Sequence, residues 1–217
     1  MSSIVLLSGG LDSTVSLSQA LREGEVKLCL TFDYGQRARL KEISAASEIA
    51  SYYRLKHRVV VLTFLKEITG TALVNPEADV PEPEDSHFNR PEKMEETARA
   101  VWVPNRNGIF INIAAAFAES LDCGQIVTGF NAEEAKTFPD NSRDFLAASN
   151  VALSFSTLKK VKVLSYTQML DKVEIVRLGK RLGAPLQHVW PCYHGGDQIC
   201  GRCESCKRYL RALQGDR

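Results

Sequence analysis

The chain has 217 residues, 27 Lys and Arg against 26 Asp and Glu, a formal net charge of +1 and 44% hydrophobic residues. That length supports one well-buried core, and the balanced charge supplies no basic field for nucleic acid or an anionic membrane surface. No apolar run approaches the roughly 18 residues of a membrane span, and Met1 leads into the first apolar segment without a cleavable signal, so a cytoplasmic protein is expected.

Ile4 to Leu7 is a short apolar run bounded by glycines, which predicts a buried strand. Ser8-Gly9-Gly10-Leu11-Asp12-Ser13 follows, then a helical pattern from Thr14 to Arg22 that Gly24 stops. A strand, a tight glycine loop and a helix start form an anion site, because backbone N–H groups and the helix macrodipole face the ligand. The lysine of the kinase-type phosphate loop is absent, as is G-x-G-x-x-G. Asp12 repels phosphate unless a divalent cation or a helix-cap role offsets it.

Val26 to Phe32 is a second predicted strand and Arg37 to Tyr53 a helix, with Leu40, Ile43, Ile49 and Tyr53 on its apolar side. Arg58 to Leu62 is a third strand. From Asn75 to Thr97 the chain holds eight acidic residues, four prolines and two basic residues, a composition expected outside the core as a solvated insertion or a lid.

Ile109 to Leu121 reads as a buried helix, Gln125 to Thr128 as a fourth strand, Ser142 to Leu158 as a helix and Val161 to Leu164 as a fifth strand. Asp171 and Glu174 form a capping box for a helix ending at Leu182, before Gly183 and Pro185. The alternation predicts an α/β fold, a five-stranded parallel sheet with helices on both faces. Residues 1–185 make this core and 186–217 a small helical subdomain.

Four of the six cysteines fall in the last 26 residues as Cys192, Cys200, Cys203 and Cys206, a C-x7-C-x2-C-x2-C pattern. Four thiolates fill a tetrahedral zinc shell and leave no open position, so the site is structural by its chemistry. C-x2-C-x2-C also occurs in iron–sulfur ligation, but the further C-x3-C-P is missing, which favours zinc. Cys29 and Cys123 read as small core residues.

S-G-G-L-D-S resembles the pyrophosphate loop of the ATP pyrophosphatase superfamily. Together with Asp33-Tyr34-Gly35-Gln36-Arg37, Pro104-Asn105-Arg106-Asn107, Phe138-Pro139-Asp140, Lys172-Val173-Glu174-Ile175 and the cysteine pattern, it makes the chain resemble the 7-cyano-7-deazaguanine synthase family over essentially its full length. Ala38, Asn141 and Asp171 depart from residues often found there.

The resemblance implies a Rossmann-like adenine nucleotide alpha hydrolase fold with strand order 3-2-1-4-5. It also implies ATP-dependent conversion of 7-carboxy-7-deazaguanine and ammonia to the nitrile, a queuosine precursor, in a homodimer that binds neither tRNA nor membrane. The nucleotide would lie on Leu7, Ser8, Gly9, Gly10, Leu11, Asp12, Ser13 and Thr14, with Mg2+ near Asp12 and adenine against Phe32 to Tyr34. Asp12, Ser13, Arg106 and Lys172 are the candidate catalytic residues. Arg106 would hold a phosphate or the substrate carboxylate, or lie on the surface ahead of a helix; Lys172 would reach a phosphate or be a first-turn surface lysine. Glu133 and Asp140 are candidates to accept from the N–H edge of the heterocycle, or are solvated loop carboxylates. Another superfamily enzyme acting on tRNA, or a non-catalytic ATP- and zinc-binding module, remains as the alternative.

Overall fold

The computed structural model describes residues 1–216. Five parallel strands, β1 (Ser2–Leu6), β2 (Glu25–Asp33), β3 (His57–Val61), β4 (Gln125–Thr128) and β5 (Lys162–Ser165), form one sheet in the order β3-β2-β1-β4-β5. Both the parallel sheet and the strand order match the expectation. Side chains alternate across the pleat: Ile4, Leu30, Ile126 and Val163 face one core, and Val5, Cys29, Val127 and Leu164 face the other.

Helices α1 (Leu11–Glu23) and α2 (Arg39–Tyr52) cover the second of these faces. The first lies under α5 (Arg106–Ser120) and α6 (Arg143–Ser156). Helix α7 (Lys172–Leu182) packs beside α1, and the C-terminal α8 (Glu204–Gly215) adds Ala212 to the cluster formed by Leu11, Val15, Ile175 and Val176. The cysteine-bearing segment is thus docked on the core. Trp190 N–H donates to Gly9 O at 2.9 Å, and a Cβ on Gly195 would meet Arg37 O at 2.6 Å.

Several boundaries differ from the periodicity. α1 begins at Leu11, three residues early, with Gly10 as its N-cap and no side-chain cap bond, so neither Asp12 nor Ser13 caps it. Leu40, expected on the buried side of α2, is 72% exposed; Ala45, Ala46, Ile49 and Ala50 carry that contact. A short helix, α3 (Thr63–Glu67), was not foreseen. The capping box of α7 is present in both directions, Glu174 N to Asp171 Oδ1 at 2.8 Å and Asp171 N to Glu174 Oε2 at 2.9 Å. Gly183 closes the helix in the left-handed region.

The acidic segment is the main correction. It contains α4 (Pro91–Ala100), with proline at the first turn, where its missing N–H costs nothing. Met94, Thr97 and Val80 are buried, and Val80 packs with Ala72 against Cys192, Cys203 and Cys206. Its charges pair outward with the cysteine segment, Asp85 with Lys207 at 3.2 Å and Glu82 with Arg202 at 3.4 Å. Composition hides this because only a few residues of the segment, Val80 and Met94 among them, are buried.

Candidate active site

In an open parallel sheet a ligand crevice forms outside the carboxyl ends of the strands, where the strand order reverses. Here that point lies between β1 and β4. A cleft of about 260 Å³ opens there, lined by Leu7 to Ser13 (Gly9 excepted), by Thr128 to Phe130 and by the end of β2 through Phe32 and Tyr34. Its far wall comes from the cysteine segment, through Trp190, Tyr193 and Tyr209.

The loop after β1 turns at Gly9, whose φ of +79° lies in the region that favours glycine, and a Cβ there would meet Glu42 O at 2.7 Å. Gly129 has the same role beneath α1, since its Cβ would come within 2.6 Å of Ser13 N. Ser8 and Ser13 hydroxyls share a 3.1 Å hydrogen bond, Ser13 Oγ donates to Gly10 O at 3.1 Å, and Thr14 Oγ1 donates to the same carbonyl at 2.7 Å. These bonds hold the loop open toward the cleft at the positive end of α1.

Asp12 and Lys172, both singled out from sequence, meet here. Lys172 Nζ lies 2.5 Å from Asp12 Oδ2 and 2.7 Å from Glu134 Oε1. Asn131 Nδ2 donates to the same Asp12 oxygen at 3.3 Å. Burial pushes the Asp12 carboxyl up to about 6, against the pull of the Lys172 ammonium. At Glu134 burial also opposes charge, but the ammonium outweighs it and holds the carboxyl below its usual range. Lys172 itself stays protonated: burial works against its charge, and the two carboxylates more than offset it.

Asp12 Oδ1 is buried and has no hydrogen-bond partner among the described residues, which leaves one carboxylate oxygen in the loop able to take a cation.

Arg106, at the start of α5, lines the cleft and donates to Tyr34 Oη at 3.0 Å. The preceding Asn105 sits at φ 52° and makes no side-chain cap. Glu133 and Asp140 do not line the cleft. Glu133 Oε2 accepts from Arg208 Nη1 and Arg211 Nη2, each at 2.8 Å, and Oε1 accepts from Lys172 N at 2.9 Å. Asp140 is buried, with Asn141 Nδ2 3.3 Å from its carboxylate, and Asn141 lines the cleft in its place. Both were candidates to read a ligand edge or to be solvated loop carboxylates; instead both oxygens of Glu133, and one of Asp140, accept from protein partners.

Sequence reasoning passed over Asn131, Glu134, Tyr193 and Arg208. Asn131 and Glu134 follow the glycine that ends β4, and a polar pair at the carboxyl end of a central strand was the available signal. Nothing local marks Tyr193 or Arg208.

Cys192, Cys200, Cys203 and Cys206 bring their four sulfurs within 4.8 Å of one another. Metal–sulfur bonds of about 2.3 Å in a tetrahedron require sulfurs about 3.8 Å apart, and Cys200 Sγ to Cys206 Sγ is 3.9 Å. Backbone N–H groups of His194 and Cys200 donate to Cys192 Sγ at 3.3 and 3.4 Å, and those of Cys203 and Arg202 to Cys200 Sγ at 3.3 and 3.4 Å. Gly201, at φ +69°, makes the turn that aims two of them. Such donors stabilise thiolates, so the set fits a metal ion. Cys29 and Cys123 are fully buried elsewhere, and burial pushes the Cys29 thiol up to about 12.

No helix among the described residues is long and apolar enough to cross a membrane. The family model described as queuosine biosynthesis protein QueC matches residues 2–216. The 7-cyano-7-deazaguanine synthase of Pelotomaculum thermopropionicum is 58% identical over 99% of this chain and 97% of its own, and that of Desulforamulus reducens 55% identical over 98% and 93%. NMN synthetase from Francisella tularensis superposes on 99% of this chain and 77% of its own, at 16% identity and a TM-score of 0.49. With a family match over nearly every residue and relatives above half identity over more than nine-tenths of their length, the chain belongs to the QueC family of queuosine biosynthesis proteins.

Proposed function

We propose that this protein converts 7-carboxy-7-deazaguanine and ammonia to 7-cyano-7-deazaguanine at the expense of ATP; the names of its relatives give the product. The observation that carries the reading beyond family membership is the Asp12–Lys172 pair at the mouth of the glycine loop, facing the cleft.

In this reading the phosphates lie on Leu7 to Thr14, with Ser8 and Ser13 hydroxyls as donors and Lys172 balancing charge at the pyrophosphate. Adenine lies against Phe32 to Tyr34. Mg2+ would be held at Asp12, where Oδ1 is free among the described residues, and would supply charge neutralisation at the phosphates. Arg106, held by Tyr34, is placed to orient the acceptor carboxylate.

The carboxylate oxygen attacks the α-phosphorus, the bond to pyrophosphate breaks, and an acyl-adenylate forms. Ammonia adds to its carbonyl carbon, AMP leaves, and a primary amide results. The amide oxygen must leave too, and it leaves poorly until adenylated. A second attack on an α-phosphorus, followed by loss of AMP and two N–H protons, gives the nitrile. In this scheme each of the two oxygens leaves carbon on an AMP, so two ATP are used per turnover.

Zinc is the metal assigned to the four cysteines, on ligand count and tetrahedral fit. The protein works in the cytoplasm as a homodimer; exposed Val151, Phe155 and Leu158, along and just beyond one flank of α6, support association. Incubation with ATP, ammonium and 7-carboxy-7-deazaguanine tests the reading: the nitrile should appear by mass with two pyrophosphates per product. If neither nitrile nor pyrophosphate forms, the assignment is wrong.

A further inference from the structure

We infer that Glu133, gripped by Arg208 of the cysteine-bearing helix, is a positioning residue that sets Lys172 against Asp12 and thereby couples nucleotide affinity to the tetracysteine site. The inference rests on the proposed nucleotide site.

Glu133 stands at a junction. Its Oε1 accepts from the backbone N–H of Lys172, the first residue of α7, at 2.9 Å, while its Oε2 takes Arg208 and Arg211 at 2.8 Å each. The backbone N–H groups of Glu133 and Glu134 both donate to Asn131 Oδ1, at 3.1 and 2.9 Å, and the other end of that amide donates to Asp12 at 3.3 Å. One short loop therefore holds Asp12 on one side and the start of α7 on the other, and Glu134 takes the Lys172 ammonium between them.

The cysteine site is tied to the same loop. Cys203 is the N-cap of α8 and Cys206 lies in its first turn, with Glu204 between them. Glu204 is 1% exposed and binds Arg208 through Nε and Nη2 at 2.9 and 2.8 Å. Arg208 is thereby fixed one turn beyond the cysteines. The Arg208 and Glu133 side chains are 8% and 15% exposed, so separating them leaves largely desolvated charges unpaired. A shift of α8 is passed to Glu133 because breaking the pair costs more than moving with it.

Coupling of this kind is reciprocal: what the cysteine site does for nucleotide, nucleotide does for retention of metal. The test uses purified metal-loaded protein, calorimetry with Mg-ATP and with 7-carboxy-7-deazaguanine separately, metal content, and metal release to a chelator with and without ATP. The variants are Glu133→Gln, Arg208→Met, the double variant and Arg208→Lys.

Glu133→Gln can keep the bond to Lys172 N and loses the charge that holds Arg208. It should weaken ATP about tenfold, the size of one charge-assisted hydrogen bond, with one metal per chain retained and acceptor affinity unchanged. Arg208→Met should match it, the double variant should be no worse than the worse single, and Arg208→Lys should recover part of the loss. ATP should slow metal release from the wild type and lose that effect in Glu133→Gln.

A merely structural role would lower acceptor affinity alongside ATP affinity and leave metal release from the wild type independent of ATP. If Arg208→Met fails to fold, because Glu204 is left unpaired, Glu133→Gln and Arg208→Lys decide the matter alone. Wild-type ATP affinity in Glu133→Gln, or strictly additive losses, overturns the inference and leaves the proposed function standing. Absence of ATP binding by the wild type overturns both.

Discussion

Lys172 Nζ lies 2.5 Å from Asp12 Oδ2 although 160 residues separate the two in sequence. The ammonium sits between Asp12 and Glu134 with a side-chain exposure of 9%. Removing it leaves two facing, largely buried carboxylates. Lys172→Met should cost on the order of 3 kcal/mol at neutral pH, as for other broken buried pairs. The loss should shrink as the pH falls and the carboxylates protonate. Thermal melts between pH 5 and pH 8 measure this, and a pH-independent loss would argue for packing instead.

Burial favours the neutral acid and pushes the Asp12 carboxyl up from the ordinary 3.8 to about 6. An acid raised in this way contributes stability that is full below 3.8 and is lost as pH rises through about 6. Acid therefore does not unfold the protein through this group, yet it removes the charge proposed to hold Mg2+. Mg-ATP affinity should fall as pH drops below about 6 while the fold persists. Asp12→Asn should bind weakly at every pH; calorimetry of both proteins across that range gives the answer.

Gly9→Ala places a Cβ 2.7 Å from the backbone oxygen of Glu42 in a residue at φ +79°. Backbone strain of this kind costs about 1–3 kcal/mol, and relief requires the loop to move. The denaturation midpoint should drop modestly while ATP binding falls much further. A variant that binds ATP normally would mean the loop backbone does not cradle the phosphates.

Chelation, or Cys203→Ser, should release the metal and loosen the segment that carries Trp190 and Tyr193, the far wall of the cleft. Loss of ordered aromatic signal in near-ultraviolet circular dichroism should track metal loss. The loaded protein should be colourless and contain zinc; a brown, iron-containing protein contradicts the assignment.

Cys29 and Cys123 offer a check against thiol chemistry. Both are fully buried, and burial holds both thiols in the protonated form. Cys29→Ala and Cys123→Ala should cost about 1 kcal/mol of core packing and leave turnover intact. A dead but folded Cys29→Ala enzyme would reopen the alternative of a superfamily enzyme acting on tRNA.

What could be read without coordinates was local. Short apolar runs located all five strands, the spacing of Asp171 and Glu174 announced their capping box, and C-x7-C-x2-C-x2-C announced a shared site because the residues that must meet are near neighbours in the chain. The glycine loop carried its own geometry in the same way, since φ at Gly9 is a property of one residue. Charge counting misled for residues 75–97, where Val80 and Met94 are buried among acids that face outward.

The sequence by itself determined the fold class, the glycine turn and the four-cysteine cluster, each written in nearby residues whose propensities need no distant partner. Only tertiary structure decided which carboxylates face the cleft and which face protein. Glu133 and Asp140 look alike to any sequence argument, as loop acids after a strand. Arg208, 75 residues further on, claims Glu133, and burial beside Asn141 removes Asp140 from the cleft. A charged side chain's role is set by what neutralises it, and for these residues that is chosen by packing across the sheet rather than by neighbours along the chain.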